Sequence, residues 1–289
     1  MERKKEMIEE LLVSTLRLAT PLIFAALGGL FSERSGVIQI GLEGMMLVGA
    51  LAAATATTFT GAPWLGVSAA VMVGIMWAQI YGFFVLKIKA DQIISATALN
   101  LLAFGLCPFF TKIVFDSTGS TPSIAIEDRL QSEFMWMALI LVVVTAFMIR
   151  FTRFGLWIQF AGESPSALQS AGVSVGLVRS LSLALTGALA GLGGASLSIS
   201  LASSYSPGMT AGRGFMALAA LIFGAWRPIP TLAACLLFAF VDAAQIRMQG
   251  ASTFIPVQLV QIMPYLVTMV ALIGFFGHQR VPKGLGKHV

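Results

Sequence analysis

The chain has 289 residues, of which 57% are hydrophobic and only 11% charged. A soluble domain carries about a quarter charged residues, so a water-solvated globule is excluded for lack of polar surface to cover it. The net charge of +5 does not point to nucleic acid, because Lys and Arg sit dispersed in short gaps between apolar runs and read as anchors at membrane-segment ends.

Residues 1–11 carry both signs of charge, and the apolar stretch after them contains Arg17 and Pro21. No small-residue cleavage site follows, so this reads as a retained first membrane helix with an amphipathic cytoplasmic lead-in. Apolar runs of the length that crosses a bilayer lie near 12–31, 36–60, 63–86, 92–115, 134–150, 180–200, 212–226, 228–247 and 256–276. The run 212–226 is short and 36–60 is interrupted by polar residues. Both are candidates for broken or re-entrant segments, which are tolerated only where backbone is buried in protein or lines a cavity.

Basic residues set the expected orientation. Arg280, Lys283 and Lys287 place the tail, 277–289, on the cytoplasmic side, as do Arg150, Arg153 and Arg179 for the gap 151–178 and Arg227 for its short loop. The acidic stretch 116–133 is expected outside. Lys87 and Lys89 want their loop inside, and Arg3, Lys4 and Lys5 want the N-terminus inside. Nine full crossings cannot put both termini on one side, so one segment is expected to be re-entrant, and 36–60 is the suspect. The fold class is all-α: one polytopic transmembrane domain of eight to ten crossing or re-entrant helices.

Nucleotide chemistry finds no support. The nearest string to a phosphate-binding G-x-x-x-x-G-K-[ST] loop is Gly284-Leu285-Gly286-Lys287-His288, with no Ser or Thr after the lysine. HExxH and CxxC are absent, so no enzyme, metal or cofactor is expected. Cys107 and Cys235 lie in apolar runs and read as small buried hydrophobes. His278 and His288 belong to the tail. The energy source is therefore an ion gradient or another chain.

Charged and polar groups inside spans are costly and mark functional candidates. Glu43, in Gln39-Ile40-Gly41-Leu42-Glu43-Gly44, is either a carboxylate beside the solute path or an acid that pairs with Arg34 or caps a half-helix N-terminus. Asp91 reads as the N-cap of the fourth span. Thr97 and Asn100 share a face, and an asparagine there must hydrogen-bond to a neighbouring helix or a passing solute. Asp242 and Arg247 can neutralise each other near one span end. Gln258, Gln261 and Tyr265 form a polar stripe beside Pro264, which suits either a path lining or helix packing. Gly187, Gly191 and Ala195 form a small-residue ridge that lets another helix approach closely.

In the longest cytoplasmic gap, residues 161–173 read as a short helix opened by Ser164 and Pro165 and closed by Gly172. On residue pattern alone it is a rigid knob for another protein or a plain linker.

The run Phe31-Ser32-Glu33-Arg34-Ser35-Gly36-Val37-Ile38-Gln39-Ile40-Gly41-Leu42-Glu43-Gly44-Met45-Met46 resembles the signature of ABC importer permeases of the ribose/branched-chain amino-acid type. Within that family it is similar to the nucleoside and simple-sugar import group. Asp91-Gln92-Ile93-Ile94 through Asn100-Leu101-Leu102, the Gly162-Glu163-Ser164-Pro165 loop with Ala171-Gly172-Val173, and Pro207-Gly208-Met209-Thr210-Ala211-Gly212-Arg213-Gly214-Phe215 resemble it too, in order along the chain. The resemblance implies a bacterial plasma-membrane permease forming half of a translocation path, with no enzymatic activity of its own. For the path it implies, the candidates are the polar residues inside the spans: Gln39, Glu43, Thr97, Asn100, Gln258, Gln261 and Tyr265. It gives Gly162, Glu163, Ser164, Pro165, Ala167, Leu168, Ala171 and Gly172 the role of coupling to an ATPase. The implied partners are that ABC ATPase subunit, a second permease subunit (a longer paralogue or an identical copy) and an extracytoplasmic substrate-binding protein. Gln39 and Ser164 stand where the pattern usually has Asn, which leaves other solutes of the class open. A self-sufficient ion-coupled carrier is the alternative.

Overall fold

Backbone N–H and C=O groups in hydrocarbon must be satisfied within their own segment, and the apolar runs accordingly fold as helices. The structure, a computed structural model, describes residues 2–117, 119–130, 132–251, 262, 266 and 281–287. The helices are α1 (Glu2–Arg34), α2 (Leu42–Thr60), α3 (Pro63–Gly82, prolonged by a π turn to Lys87), α4 (Gln92–Phe115) and α5 (Glu133–Phe151). They continue as α6 (Arg153–Glu163), α7 (Pro165–Ser170), α8 (Val175–Ala195, prolonged by a π turn to Leu201), α9 (Arg213–Phe223) and α10 (Pro228–Ala251). Seven of them (α1 to α5, α8 and α10) are long and apolar enough to cross a membrane.

Local chemistry sets their ends. Gly61, at φ 63°, closes α2, and Pro63 opens α3. Asp91 accepts hydrogen bonds from the Ile93 and Ile94 amides, both at 2.9 Å, and caps α4. The core is α1, α2 and α3 packed around α8. A Cβ on Gly187 or Gly191 would run into the α3 carbonyls of Gly74 or Ala70, so this ridge brings two backbones together.

The hydrogen bonds sort the helix ends onto two faces. On the near face, the end of α1 meets the α6–α7 region and the tail: Gly284 N donates to Gly162 O at 2.7 Å and Gly286 N to Gly36 O at 3.1 Å. On the far face, Thr121 and Ile124 donate to the carbonyls of Tyr205 and Ser203. Glu10 of α1 pairs with Arg247 of α10 at 3.3 Å. Glu10 and Arg34 are separated by about 36 Å of helix at 1.5 Å per residue, so the start of α1 lies on the face opposite the tail.

Three expectations are corrected. The N-terminal lead-in does not share a face with the tail and the 151–178 gap, because α1 reaches them with its C-terminal end. The segment 36–60 is not the broken crossing either: residues 35–41 form a loop, and α2 runs uninterrupted for 19 residues. The broken crossing is 202–226, which enters from the far face as a non-helical stretch. It then becomes α9, whose 11 residues span only about 16 Å of a roughly 30 Å hydrocarbon layer. Arg247, expected to neutralise Asp242, pairs with Glu10. Of the expected crossing at 256–276 only residues 262 and 266 are described, and residues 251 and 281 sit on opposite faces.

Candidate functional site

The break between α1 and α2 is held by polar side chains from several helices. Glu43 sits in the first turn of α2 and is 1% exposed. Its carboxylate accepts the Gly212 N–H at 2.8 Å and the Gly214 N–H at 2.6 Å. Both donors belong to the N-terminus of α9, where amides lack helical partners and the dipole is positive. Of the readings for Glu43, the geometry is that of a cap on a half-helix. Gly214 has to be glycine, since a Cβ would lie 2.6 Å from Glu43 Cα and 2.7 Å from its Oε2.

Asn100 of α4 bridges the same break. Its Oδ1 accepts Gly44 N at 2.9 Å and its Nδ2 donates to Ile40 O at 3.0 Å. Gln39 is buried, with Nε2 3.1 Å from Met45 Sδ and Oε1 without a partner. Thr97 is exposed on α4 and spends its hydroxyl on Ile93 O. Gln258, Gln261 and Tyr265 lie outside the described residues.

One acid escaped the sequence reading. Glu33, buried near the end of α1, accepts the indole N–H of Trp226 at 2.6 Å. Trp226 follows α9 directly and, with Ala225, adopts a positive φ that is rare outside glycine. The buried carboxylate in the Phe31–Gly36 run was a signal; its partner 193 residues away was not.

The second constellation lies on the near face. Gly162 packs so tightly that a Cβ would fall on the Arg34 carbonyl, and Glu163 is a negative charge acting on the Arg34 guanidinium. Pro165 opens α7 at its first position, and the Ser164 carbonyl accepts from Ala167 and Leu168. The Ser164 hydroxyl makes no cap bond. Gly172, at φ 79°, closes the helix, with Gly172 N to Gln169 O at 2.9 Å and Val173 N to Leu168 O at 3.2 Å. This is a Schellman ending. Leu168 is 3% exposed and anchors α7 in the body, whereas Ala167, Ala171 and Gly172 are exposed. The result is a one-turn knob with a buried root.

Arg179, 2% exposed, ties this knob to the rest. Its guanidinium donates to Ser35 O at 3.0 Å, Lys287 O at 3.0 Å and Ala161 O at 3.3 Å. The end of α1, the end of α6 and the tail therefore converge on one side chain, which the sequence reading used only as a topology marker.

A helical membrane body with a rooted knob on one face is matched over residues 11–272 by the profile of a family described as branched-chain amino acid transport system / permease component. The chain belongs to that family. It is thus a multi-pass membrane permease subunit of an ABC importer, and members of this family work with an ATPase and a substrate-binding protein. Its sequence is 35% identical to the guanosine ABC transporter permease protein NupQ of Bacillus subtilis, covering 94% of each chain. It is 30% identical to the nucleoside ABC transporter permease protein NupC of Lactococcus lactis subsp. cremoris, covering 96% of each. It is 34% identical to TsgC13 of Haloferax volcanii, a permease protein named for glucose, covering 91% of this chain and 90% of that one. Each of these organisms has a second, less similar match (NupP, NupB and TsgB13), covered over only 70%, 81% and 78% of its length.

Proposed function

We propose that this chain forms half of the path by which an ABC importer takes a nucleoside across a bacterial plasma membrane. The observation that carries the solute is the end-to-end likeness to guanosine and nucleoside permeases. A simple sugar is the second reading, favoured by the similar likeness to TsgC13. In this reading the near face is cytoplasmic and α7 is the knob held by the ATPase, with Ala167, Ala171 and Gly172 as its contact surface and Leu168 as its root. Gly162, Glu163, Ser164 and Pro165 hold it at the end of α1.

The other half of the path is a longer paralogue. Support comes from the paired relatives, one matched over nearly its full length and the other exceeding this chain. Thr97 and the stripe Gln258, Gln261 and Tyr265 touch solute. Gln39, Glu43 and Asn100 fix the walls from inside the protein.

The test is uptake into proteoliposomes holding this chain, its ATPase and the longer permease, supplied with the binding protein. Labelled guanosine is expected to enter only with ATP, in preference to glucose and leucine. Gradient-driven uptake by this chain alone would overturn the reading, and glucose preference would shift it to the sugar.

A further inference from the structure

A cavity of about 150 Å³ opens on the near face between the α3–α4 loop and the start of α8, lined by Lys89, Gln92, Gln169, Ser174, Gly176 and Arg179 among others. At about 30 Å³ per water, it has room for roughly five waters or one phosphate group. Its donors converge without matching acceptors. Val175 and Gly176 fill the first positions of α8, where amides have no helical partner, while the Ser174 hydroxyl serves Leu177 N. A Cβ on Gly176 would meet nothing nearer than Ser174 Oγ at 4.0 Å, so that backbone is open to a ligand.

Gln92 supplies the independent observation. It is 3% exposed; its Oε1 accepts Ile38 N at 2.8 Å, yet its Nε2 has no partner. A buried donor left without an acceptor costs about 1–3 kcal/mol, a cost that only an acceptor reaching Nε2 from the cavity would remove. Arg179 has five N–H donors, of which its three carbonyl partners leave two. The nearby acid, Asp91, is engaged by the α4 amides.

A crevice of about 430 Å³ adjoins this cavity, sharing Leu86, Ser174 and Gly176 and lined also by Gly82, Phe83, Lys87 and Leu177. Phe83 and Leu177 are 50% and 58% exposed, and Lys87 Nζ stands 5.9 Å over the Phe83 ring. A polar, basic cavity opening into an apolar crevice at a membrane face has the shape of a phospholipid, head inward and chain along the helices. We propose that this pocket is a binding site for the headgroup phosphate of an anionic phospholipid, seated between the α3–α4 loop and the root of α7.

The test uses the full chain in nanodiscs and native mass spectrometry. Wild type is expected to retain phosphatidylglycerol over phosphatidylcholine and to unfold at higher temperature in phosphatidylglycerol discs. Lys89→Gln and Gly176→Asp are each expected to lower retention about tenfold. Gly176→Asp is the decisive variant, because an acid in the first turn favours the helix while repelling the ligand, so lipid is lost without loss of fold. Retention at the wild-type level in both variants, or equal retention of the two lipids by wild type, overturns the site. If inorganic phosphate protects wild type as well as phosphatidylglycerol does, the lipid assignment is overturned in favour of the free anion.

Discussion

Glu33 and Glu43 hold opposite ends of α9. Glu43 caps its first amides through Gly212 and Gly214, and Glu33 grips the Trp226 indole just past its last turn. The two acids sit on either side of the 35–41 loop, so α9 is fastened to both lips of the break between α1 and α2. A half-helix fixed in this way follows any motion of that loop, and the loop in turn touches the tail and the α6–α7 region.

The first prediction concerns that grip. Glu43→Gln keeps an acceptor but loses the charge on two buried bonds, and hydrogen bonds to charged groups contribute about 1.5–3 kcal/mol. A loss near 2 kcal/mol is expected, read as a lower unfolding temperature in detergent together with reduced uptake. Gly214→Ala should be worse, because its Cβ has no room beside the Glu43 backbone. Wild-type stability in Glu43→Gln would show that the cap is not energetically significant.

Asn100 allows a sharper comparison. Asp at this position keeps the acceptor for Gly44 N but puts an oxygen against Ile40 O, whereas Leu abandons both groups. Each orphaned backbone group costs about 1–3 kcal/mol. Both variants should be destabilised, with Leu losing about 2–6 kcal/mol; equal stability of all three proteins would refute the bridging role.

At α7 the exposed and buried residues separate two effects. Ala167→Arg changes only the surface and should leave thermal stability within about 0.5 kcal/mol. It should nevertheless abolish ATP-driven uptake and weaken ATPase retention on purification. Leu168→Ala empties a buried position and should cost about 2–5 kcal/mol. Normal uptake by Ala167→Arg would remove α7 from the coupling surface.

The helices were legible because hydrophobic length and the end signals Asp91, Pro165 and Gly172 are local. The break was misplaced for a physical reason. Gly-Leu-Glu-Gly looks like a disrupted helix, yet Glu43 is accommodated inside an intact one because a distant half-helix presents two free amides to it. The links from Glu33 to Trp226 and from Arg179 to Ser35 and Lys287 span 193, 144 and 108 residues. No local pattern encodes such pairings.

The sidedness of α1 was misread because charge counting weighed Arg3, Lys4 and Lys5. The positive-inside bias is statistical, and here tertiary contacts at both ends of the helix oppose it. Single cysteines test the point, since the native Cys107 and Cys235 are buried. Glu10→Cys and Gly119→Cys should react with a membrane-impermeant maleimide from the same side of intact cells. Ala167→Cys should react only after the membrane is opened. Losing the Glu10–Arg247 pair should matter little, because exposed pairs contribute about 0–1 kcal/mol. Labelling of Glu10→Cys together with Ala167→Cys would return the start of α1 to the tail's face and contradict the path of α1.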